Sequence, residues 1–263
     1  MIMAKLPTRV LISGASGFVG SALIAHLAPK KRFSLTAITH AGSDSFPEGV
    51  SHVAGDLLIQ GSVSESLNAC DVYVHLASEI DINGSLTEPR ERIERSTSML
   101  LNVLETLRTN NLTPLVIFTS TDRLYGATTK RTVDENERPT PIEPYTAGKI
   151  MCETILETYH RLYGIPYIIL RVSSIYGPGQ PRSMFISDVI HKMNEHNAIT
   201  VGNVTTWKNF VYVGDVARAI EKAMTAPRRA RNAIYNIGGK AASMEDILKR
   251  LRSIMEERRN TRI

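Results

Sequence analysis

The sequence predicts an α/β fold with a doubly wound parallel sheet, and three observations support this prediction. Short apolar runs alternate with longer amphipathic runs through the first 172 residues. The short runs are almost uninterruptedly apolar, which is typical of strands covered by helices on both faces. The first of them, at 9–13, passes through a glycine-rich turn into a helix. Connection rules then favour helices wound onto both faces of one sheet.

The remaining elements follow in the same alternating order. Strands are predicted at 9–13, 35–39, 72–76, 115–120 and 166–172, and helices at 18–28, 91–108 and 147–163. Gly164 and Pro166 end the last of these helices, as this pair commonly does. Beyond residue 172 the segment 173–208 is rich in loop-forming residues, and strands at 210–213 and 235–239 flank a helix at 215–224. A final amphipathic helix at 243–259 begins with Ser243 and Asp246 in the spacing of a capping box.

The composition excludes several classes of protein. With 263 residues, 43% of them hydrophobic, the chain can bury a core without disulfides or a metal, and no metal site is predicted. No apolar run approaches the ~20 residues of a membrane span, and the first residues lack the apolar stretch of a signal peptide. Cys70 and Cys152 lie in apolar segments, so we expect reduced thiols in a cytoplasmic protein.

The charge balance points to a small anionic partner. Lysine and arginine outnumber the acidic residues by 31 to 26, which gives a net charge of +5. The two arginine-rich segments, 228–231 and 258–262, carry no interleaved aromatic residues, so we expect neither nucleic acid nor a membrane as partner. A phosphorylated small molecule suits this charge.

A glycine-rich turn joins the first strand to the first helix. It reads Gly14-Ala-Ser-Gly17-Phe-Val-Gly20, with the glycines three residues apart. Glycines let the backbone turn and let a pyrophosphate approach it, while the helix N-terminus offers N–H groups to the anion. The turn therefore predicts a dinucleotide site, and the alternative is a purely structural turn.

The end of the second predicted strand selects between dinucleotides. An acidic residue there binds the adenosine ribose hydroxyls, whereas a basic residue accepts a 2′-phosphate. Thr39 and His40 occupy these positions, so the acid is absent. His40 and Ser43 are candidates to meet a phosphate, and NADP is slightly favoured over NAD. The alternative for His40 is an ordinary surface histidine.

Thr121, Tyr145 and Lys149 form a candidate catalytic group. Tyr145 and Lys149 are four residues apart at the start of a predicted helix, hence on one face. A tyrosine that acts as a base near pH 7 needs its pKa lowered by ~3 units from ~10, and a fixed ammonium group favours its ionised form. Thr121 ends a strand and can hold a substrate oxygen by a hydrogen bond. The Tyr–Lys spacing alone is a weak signal, because Lys149 could simply pair with Glu153.

Eight short segments occur together along the chain. They are SGASGFVG at 13–20, GDL at 55–57, VHLAS at 74–78, STDRLYG at 120–126, PYTAGK at 144–149, RVSSIYGPG at 171–179, NFVYVGDVA at 209–217 and YNIGG at 235–239. In order and spacing they resemble the extended short-chain dehydrogenase/reductase family, of the NAD-dependent sugar-nucleotide epimerase/dehydratase type. The resemblance covers nearly the whole chain. It implies an NAD(P)-binding Rossmann core, a small C-terminal substrate-binding part, and a homodimer formed through the helices around 91–108 and 147–163.

The resemblance also divides the chain into two parts. The dinucleotide-binding core is expected at 1–172, and 209–224 and 233–240 are expected to return to it. The substrate-binding part then comprises 173–208 and 241–263. Because only about 90 residues follow the core, we expect this second part to be shortened relative to the family.

The resemblance implies roles for individual residues. The implied cofactor contacts are Gly14, Ser16, Gly17, Phe18, Val19, Gly20, Thr39, His40, Asp56, Leu57, Leu76, Ala77, Ser78, Tyr145, Lys149 and Val172. The implied catalytic residues are Tyr145 as acid/base, Lys149 as the residue that holds the nicotinamide ribose, Thr121 and Asp122. The implied substrate contacts are Thr121, Tyr125, Ser174 and Lys208. Each has a structural alternative, such as a helix cap for Asp56 and a packing role for Ala77 or Tyr125.

Three substitutions depart from the family pattern in the region of the substrate. Ser174 stands where sugar-nucleotide members usually carry Asn, and Lys208-Asn209 replaces Arg-Asp. Lysine keeps the charge but not the bidentate fork of arginine. Ser96 replaces a further Asn. These changes weaken the assignment of the substrate more than that of the cofactor.

Asp122 and Arg123 bear on the type of reaction. Related dehydratases carry Thr-Asp-Glu, or an Asp-Lys pair, at this place, where the acid protonates the leaving hydroxyl and its neighbour removes a proton beside the keto group. Arg123 remains charged and cannot be that base. The two residues are therefore either a modified dehydratase pair or a salt bridge.

These observations leave three hypotheses for function. The leading one is an NAD(P)-dependent epimerase or dehydratase that acts on a nucleotide-activated sugar through a transient keto intermediate. The first alternative is an NADPH-dependent keto-reductase for a keto-sugar or another small carbonyl compound, which Thr39 and Ser174 support. The second is a non-catalytic dinucleotide-binding sensor, against which Thr121, Tyr145 and Lys149 argue.

Overall fold

The computed structural model describes residues 6–40, 45–78, 86–127, 130, 132–195 and 199–260. The strands are β1 Thr8–Ser13, β2 Phe33–Thr39, β3 Val50–Ala54, β4 Val72–His75, β5 Leu115–Thr121, β6 Tyr167–Val172, β7 Ser174–Tyr176, β8 Trp207–Tyr212, β9 Ala233–Ile237 and β10 Lys240–Ser243. The helices are α1 Phe18–Leu27, α2 Ser64–Asn68, α3 Pro89–Thr109, α4 Pro144–Tyr163, α5 Phe185–Glu195, α6 Val213–Met224 and α7 Met244–Asn260. Short 3₁₀ turns occupy Asp122–Tyr125 and Arg228–Ala230.

The chain divides into two compact units, of which the first contains Met1–Val172 and Gly214–Ile237. Its centre is a seven-stranded sheet in the order β3-β2-β1-β4-β5-β6-β9. All neighbouring strands in it are parallel. The strand order reverses between β1 and β4, and ligands of such sheets bind at the carboxyl ends of the strands beside this point. The predicted doubly wound parallel sheet is thus confirmed.

Helices α3 and α4 share a buried core with the central strands. The apolar residues Leu100, Leu104 and Leu107 lie on one face of α3 and are fully buried. They join Phe118 and Leu156 in a single apolar cluster. Burial of each such side chain contributes about 1.5–3 kcal/mol, so this cluster is what holds α4 against the sheet. That position matters because α4 carries Tyr145 and Lys149.

The second unit contains Ser173–Val213 and Gly238–Ile263. Its sheet has the order β10-β8-β7, with β7 parallel and β10 antiparallel to β8. The capping box predicted for α7 is present: the Asp246 amide donates to Ser243 Oγ over 3.0 Å, and the Ser243 amide donates to Asp246 Oδ2 over 3.3 Å. This pair satisfies N–H groups at the start of α7.

The segment 209–224, predicted to return to the core, begins with the end of strand β8. That strand belongs to the second sheet, where Phe210 pairs with both Ser174 and Lys240. Only the helix that follows it, α6, joins the first unit. The sequence did not predict the strands β3, β7 and β10 or the helices α2 and α5. β3 is an edge strand with a largely exposed, mixed-polarity sequence, so it lacks the apolar run of a buried strand.

No helix in the described part of the chain is both long enough and apolar enough to cross a bilayer.

Candidate active site

The glycine turn between β1 and α1 is folded so tightly that side chains would not fit. A Cβ atom on Gly20 would lie 2.1 Å from the carbonyl oxygen of Gly14. Gly14 has φ +67°, and a Cβ on it would lie 2.7 Å from the Ala77 amide nitrogen and the Leu76 carbonyl carbon. The turn therefore lies directly against the residues that follow β4, and α1 begins within the turn, at Phe18. These contacts explain the two glycines and bring Leu76 and Ala77 to the same place, as the predicted cofactor contacts require.

The N-terminus of α1 is arranged to receive an anion. Gly17 is the N-cap residue, and neither a side-chain cap nor an acidic residue occupies the first turn. Amide groups of the turn and the helix start are thus available to a pyrophosphate, which the helix dipole favours. Ser16 and Phe18 flank this N-cap and are exposed and half-buried, respectively, and Val19 is half-buried.

The end of β2 lies beside Asp56. The Gly55 amide donates to the carbonyl oxygen of Thr39 over 2.9 Å, and His40 Nε2 lies 3.9 Å from Asp56 Oδ2. Asp56 Oδ1 accepts a hydrogen bond from the Leu58 amide over 2.9 Å, so this carboxylate also closes a local turn. Ser43, the second predicted phosphate contact, lies outside the described residues. The structure thus gathers Thr39, His40 and Asp56 at one end of the sheet.

Buried hydroxyl groups without a protein partner lie at the ends of the central strands. Thr39 Oγ1, Ser78 Oγ and Ser120 Oγ are buried in the described part of the chain and make no hydrogen bond there. A buried polar atom left unpaired costs about 1–3 kcal/mol, so such groups call for a ligand or water. Thr39 and Ser78 are predicted cofactor contacts. Together with the glycine turn, these hydroxyls show that the residues present fit a dinucleotide.

Lys149 is the most enclosed of the predicted catalytic residues. Its side chain is buried, and its Nζ donates to the carbonyl oxygen of Thr119 over 2.9 Å. The same Nζ lies 4.8 Å from the centre of the Phe118 ring and 5.9 Å from that of Tyr145. Burial lowers the pKa of Lys149 to about 8, with Cys152 and Glu153 opposing this shift. The ammonium group therefore remains largely protonated at neutral pH.

Tyr145 lies one helical turn before Lys149 and is half-buried. Burial raises its pKa to about 12, and the nearby Arg123 charge opposes that shift. Glu143 and Asp122 raise the same pKa further. Ionisation of Tyr145 therefore depends on how strongly the surrounding cations favour the phenolate.

Thr121 ends β5 and caps the 3₁₀ turn that follows it. Its Oγ1 accepts a hydrogen bond from the Arg123 amide over 3.3 Å. The Arg123 guanidinium then reaches the helix that carries Tyr145: Nε and Nη2 each donate to a different Glu143 oxygen over 2.7 Å. Arg123 therefore forms an ion pair with Glu143. Sequence reasoning missed Glu143, although an acid next to Pro144 is the kind of partner a half-buried arginine needs.

Tyr125, a predicted substrate contact, lies in a network of buried polar side chains. Its side chain is buried, its hydroxyl donates to Asn236 Oδ1 over 2.8 Å, and it accepts from Arg171 Nη1 over 2.8 Å. Arg171 also donates to Glu153 over 2.7 Å, in an ion pair whose two side chains are 4% and 6% exposed. These partners hold the Tyr125 hydroxyl between β6 and β9, and its predicted contact with the substrate stays a prediction.

Comparison with known proteins identifies the family. The model of the NAD dependent epimerase/dehydratase family matches residues 10–238. The chain belongs to this family. A putative UDP-glucose 4-epimerase of Methanocaldococcus jannaschii is 31% identical over 247 residues, which cover 90% of this chain and 79% of that protein. A probable dTDP-glucose 4,6-dehydratase of Sinorhizobium fredii is 25% identical, over 95% of this chain and 77% of that protein.

Solved structures agree with the family assignment. UDP-glucuronic acid 4-epimerase from Bacillus cereus, in complex with UDP-glucuronic acid and NAD, superposes with a TM-score of 0.86 at 27% identity. The match covers 95% of this chain and 83% of that one. Family membership confirms the predicted resemblance, the Rossmann-like fold and the class of NAD-dependent epimerase and dehydratase enzymes.

Two of the predicted substrate residues lie in the second unit. Ser174 begins β7 and pairs with Phe210 on β8, and Lys208 precedes Phe210 by two residues on the same strand. Both side chains are half-buried. Two of the departures from the usual family residues, Ser174 and Lys208, thus lie on neighbouring strands of one small sheet, whereas Ser96 lies on α3. Val172 lies in the first unit, at the carboxyl end of β6, and is buried.

Proposed function

We propose that this protein is a nucleotide-sugar epimerase that works through a transient keto-sugar. A sugar hydroxyl loses its proton while the carbon that bears it loses a hydride, which leaves a ketone. The ketone then turns its other face to the hydride donor, and hydride and proton return. NAD(P), held at the glycine turn, would supply the reversible hydride acceptor. Relatives of this chain are named as epimerases and dehydratases of nucleotide sugars, which supports the substrate class.

The observation that carries the proposal is the geometry at the end of β5. Lys149 is anchored to the Thr119 carbonyl, and Thr121 ends the same strand two residues later. Tyr145 lies one turn away from Lys149 on α4. A hydroxyl for orientation, a phenol for proton transfer and a buried cation thus converge from two elements that a common core holds together.

Tyr145 accepts the hydroxyl proton of the sugar in this proposal. Burial raises its pKa, Arg123 opposes that shift, and the Lys149 Nζ lies 5.9 Å from the centre of its ring, where a cation favours the phenolate. Lys149 also has the position to hold the nicotinamide ribose, because its Nζ keeps further donors beyond the one used by Thr119. Thr121 orients the reacting oxygen.

The ion pair of Arg123 supports epimerisation over dehydration. Elimination of water needs a base beside the acid at 122, and a guanidinium paired bidentately with Glu143 cannot accept a proton. Asp122 stays a proposed catalytic residue. Its negative charge raises the pKa of Tyr145 and so favours the protonated phenol. We therefore propose that the ketone is reduced again without loss of water.

The proposed cofactor is NAD(P), with a slight preference for NADP. Solved relatives contain NAD. In this chain, however, the end of β2 presents the neutral Thr39 in place of an acid, and the His40 side chain is 80% exposed beside it. An acid would repel a 2′-phosphate, whereas an imidazole can donate a hydrogen bond to one.

We further propose a homodimer formed through α3 and α4. On these helices Leu101, Met151 and Leu162 are 37%, 47% and 66% exposed, respectively, although all three are apolar. Exposed apolar side chains on two neighbouring helices support an interface. A cytoplasmic location is also proposed, and the two unpaired cysteines agree with it.

Product analysis with stable isotopes tests the proposed reaction. The purified enzyme is incubated with UDP-glucose, UDP-N-acetylglucosamine or dTDP-glucose in deuterated water, with and without added cofactor. An epimerase yields an isomer of unchanged mass with no deuterium on carbon. A dehydratase yields a product lighter by one water that carries solvent deuterium beside the ketone, and this result would contradict the proposal.

A keto-reductase is the second candidate, favoured by the neutral residue Thr39 and by Ser174 in place of the usual Asn. The same assay separates it from an epimerase. A reductase consumes NADPH in a one-to-one ratio with a ketone substrate, whereas an epimerase shows no net change in cofactor. Turnover of either kind also excludes a purely sensory role.

A further inference from the structure

Arg123 and Glu143 form a bidentate ion pair that joins two parts of the proposed site. Both donor–acceptor distances are 2.7 Å, and the side chains are 36% and 9% exposed. Paired forks of this kind define the orientation of both groups as well as their distance. Surface pairs are usually weak, but this one is half-enclosed and has the geometry in which such pairs contribute most.

The ion pair connects the turn after β5 with the start of α4. On one side, the Arg123 amide donates to Thr121 Oγ1 over 3.3 Å. On the other side, Glu143 is the N-cap residue of α4, and its side chain makes no capping hydrogen bond. Only Pro144 separates Glu143 from Tyr145, and proline restricts the backbone between them. The fork thus fixes Thr121 and Tyr145 relative to each other.

The charges around Tyr145 come from two elements. The turn after β5 contributes Asp122 and Arg123, and α4 contributes Glu143 and Lys149. Among them, Arg123 lowers the pKa of Tyr145, whereas Glu143 and Asp122 raise it. Strand β5, with the sequence LVIFTST, carries no titratable side chain.

The neighbouring helix α3 faces α4 near Gly148 through its Ile93. Next to Ile93, Arg92 forms an ion pair over 3.3 Å with Glu88, the N-cap residue of α3. Arg123 is the cation that opposes the rise of the Tyr145 pKa, and Lys149 Nζ lies 5.9 Å from the centre of the Tyr145 ring.

We propose that Arg123 and Glu143 are a positioning pair for Tyr145, in which the fork fixes the phenol against Thr121 and Arg123 supplies a permanent cation beside it. This inference rests on the proposed role of Tyr145 as the acid/base residue. Arg123 thereby favours the phenolate at a place where related dehydratases carry a catalytic base. Glu143 keeps the guanidinium in place.

The test uses Arg123→Gln and Arg123→Lys in the enzyme with bound NAD. Arg123→Gln removes both the positive charge and the bidentate pair with Glu143. We therefore expect the acidic limb of the pH–kcat profile to move up by about one pH unit, so that kcat at pH values below the limb falls about tenfold. Arg123→Lys keeps the charge without the fork. It should leave the limb in place and lower kcat severalfold. An unchanged limb and kcat in Arg123→Gln would overturn the proposal.

A matched control removes a similar fork away from the site. Arg9 donates to both oxygens of Asp71 over 3.2 and 2.8 Å at the amino ends of β1 and β4. Arg9→Gln should change neither the limb nor kcat. Thermal melting of each variant shows that it is folded. If Arg9→Gln moved the limb as far as Arg123→Gln does, a general loss of ion pairing would explain the effect and the proposal would fail.

A spectroscopic measurement separates this inference from the proposed reaction. With 3-fluorotyrosine at position 145, fluorine NMR follows ionisation of that one ring in the NAD complex without any turnover. The midpoint should move to higher pH in the Arg123→Gln background and stay in place with Arg9→Gln. An unmoved midpoint would overturn the role of Arg123, even in an enzyme that epimerises sugars. A moved midpoint would support that role even if no nucleotide sugar is turned over.

Discussion

Lys149 donates a hydrogen bond from Nζ to the carbonyl oxygen of Thr119 over 2.9 Å. This contact joins helix α4 to the carboxyl end of strand β5, two residues before Thr121. A buried ammonium has few places to find an acceptor, and a strand carbonyl beside the sheet edge is one of them. The predicted Tyr–Lys pair is thus anchored to the sheet by its lysine.

Tyr145→Phe should abolish turnover while it preserves cofactor binding. The substitution removes the only atom proposed to accept the sugar proton, and loss of such a residue typically costs 10²–10⁴-fold in rate. Initial rates and a fluorescence titration with NADH measure the two effects. Tyr163→Phe, at the exposed end of the same helix, is the matched control and should retain full activity. Near-normal turnover by Tyr145→Phe would refute the assignment.

Lys149→Met should change how stability depends on pH. Burial lowers the Lys149 pKa from 10.5 to about 8, so between these values the unfolded chain binds more protons than the folded one. The free energy of unfolding of the wild type therefore rises with pH across this window, relative to the variant. We expect a relative gain of the order of 2 kcal/mol between neutral pH and about pH 10. Urea denaturation of both proteins measures it, and parallel curves would contradict the prediction.

Gly20→Ala should disrupt the cofactor turn far more than Gly17→Ala. A Cβ on Gly20 would lie 2.1 Å from the Gly14 carbonyl oxygen, whereas one on Gly17 would lie 3.2 Å from the same atom. The first contact requires the backbone to move, and the second needs a displacement of a few tenths of an ångström. The dissociation constant of NADH, measured by fluorescence, should rise by more than tenfold for Gly20→Ala. Gly202→Ala, where the space is open, is the neutral control.

Thr39→Asp should shift the cofactor preference from NADP to NAD. A carboxylate at the end of β2 binds the ribose hydroxyls and repels a 2′-phosphate. Parallel titrations with NADH and NADPH measure the ratio of the two affinities. That ratio should change by at least tenfold in favour of NADH. A substitution of the exposed Thr205, in the second unit, serves as the control. A ratio that does not move would show that this strand end does not contact the ribose.

Arg171→Met should destabilise the protein strongly. It leaves the Glu153 carboxylate buried without its partner, and such a loss typically costs 3–5 kcal/mol. The double variant Arg171→Met/Glu153→Met removes both charges and should recover much of the loss. Chemical denaturation of the three proteins gives the free energies. A single variant as stable as the wild type would show that the pair is not enclosed as described.

Some features of this chain were predictable because they depend on local sequence. The strands β1, β2, β4, β5 and β6 are apolar runs of the kind found in a parallel sheet that helices cover on both faces. Their predicted bounds lie within two residues of those in the structure. The capping box of α7 depends on two side chains three residues apart, so it too was visible. The strands β7 and β10 were not, since they are only three and four residues long and lack a continuous apolar run.

The sequence by itself determined the doubly wound sheet, the glycine turn and the Tyr145–Lys149 pair, because periodicity and spacing encode them directly. Only the tertiary structure decided the partners of the polar side chains. Arg123 pairs with Glu143, 20 residues away, and the hydroxyl of Tyr125 binds Asn236, 111 residues away. Such pairs depend on which strand ends meet at one edge of the sheet. A side chain's chemistry can be read from the sequence, but its neighbours are set by the packing of elements distant along the chain.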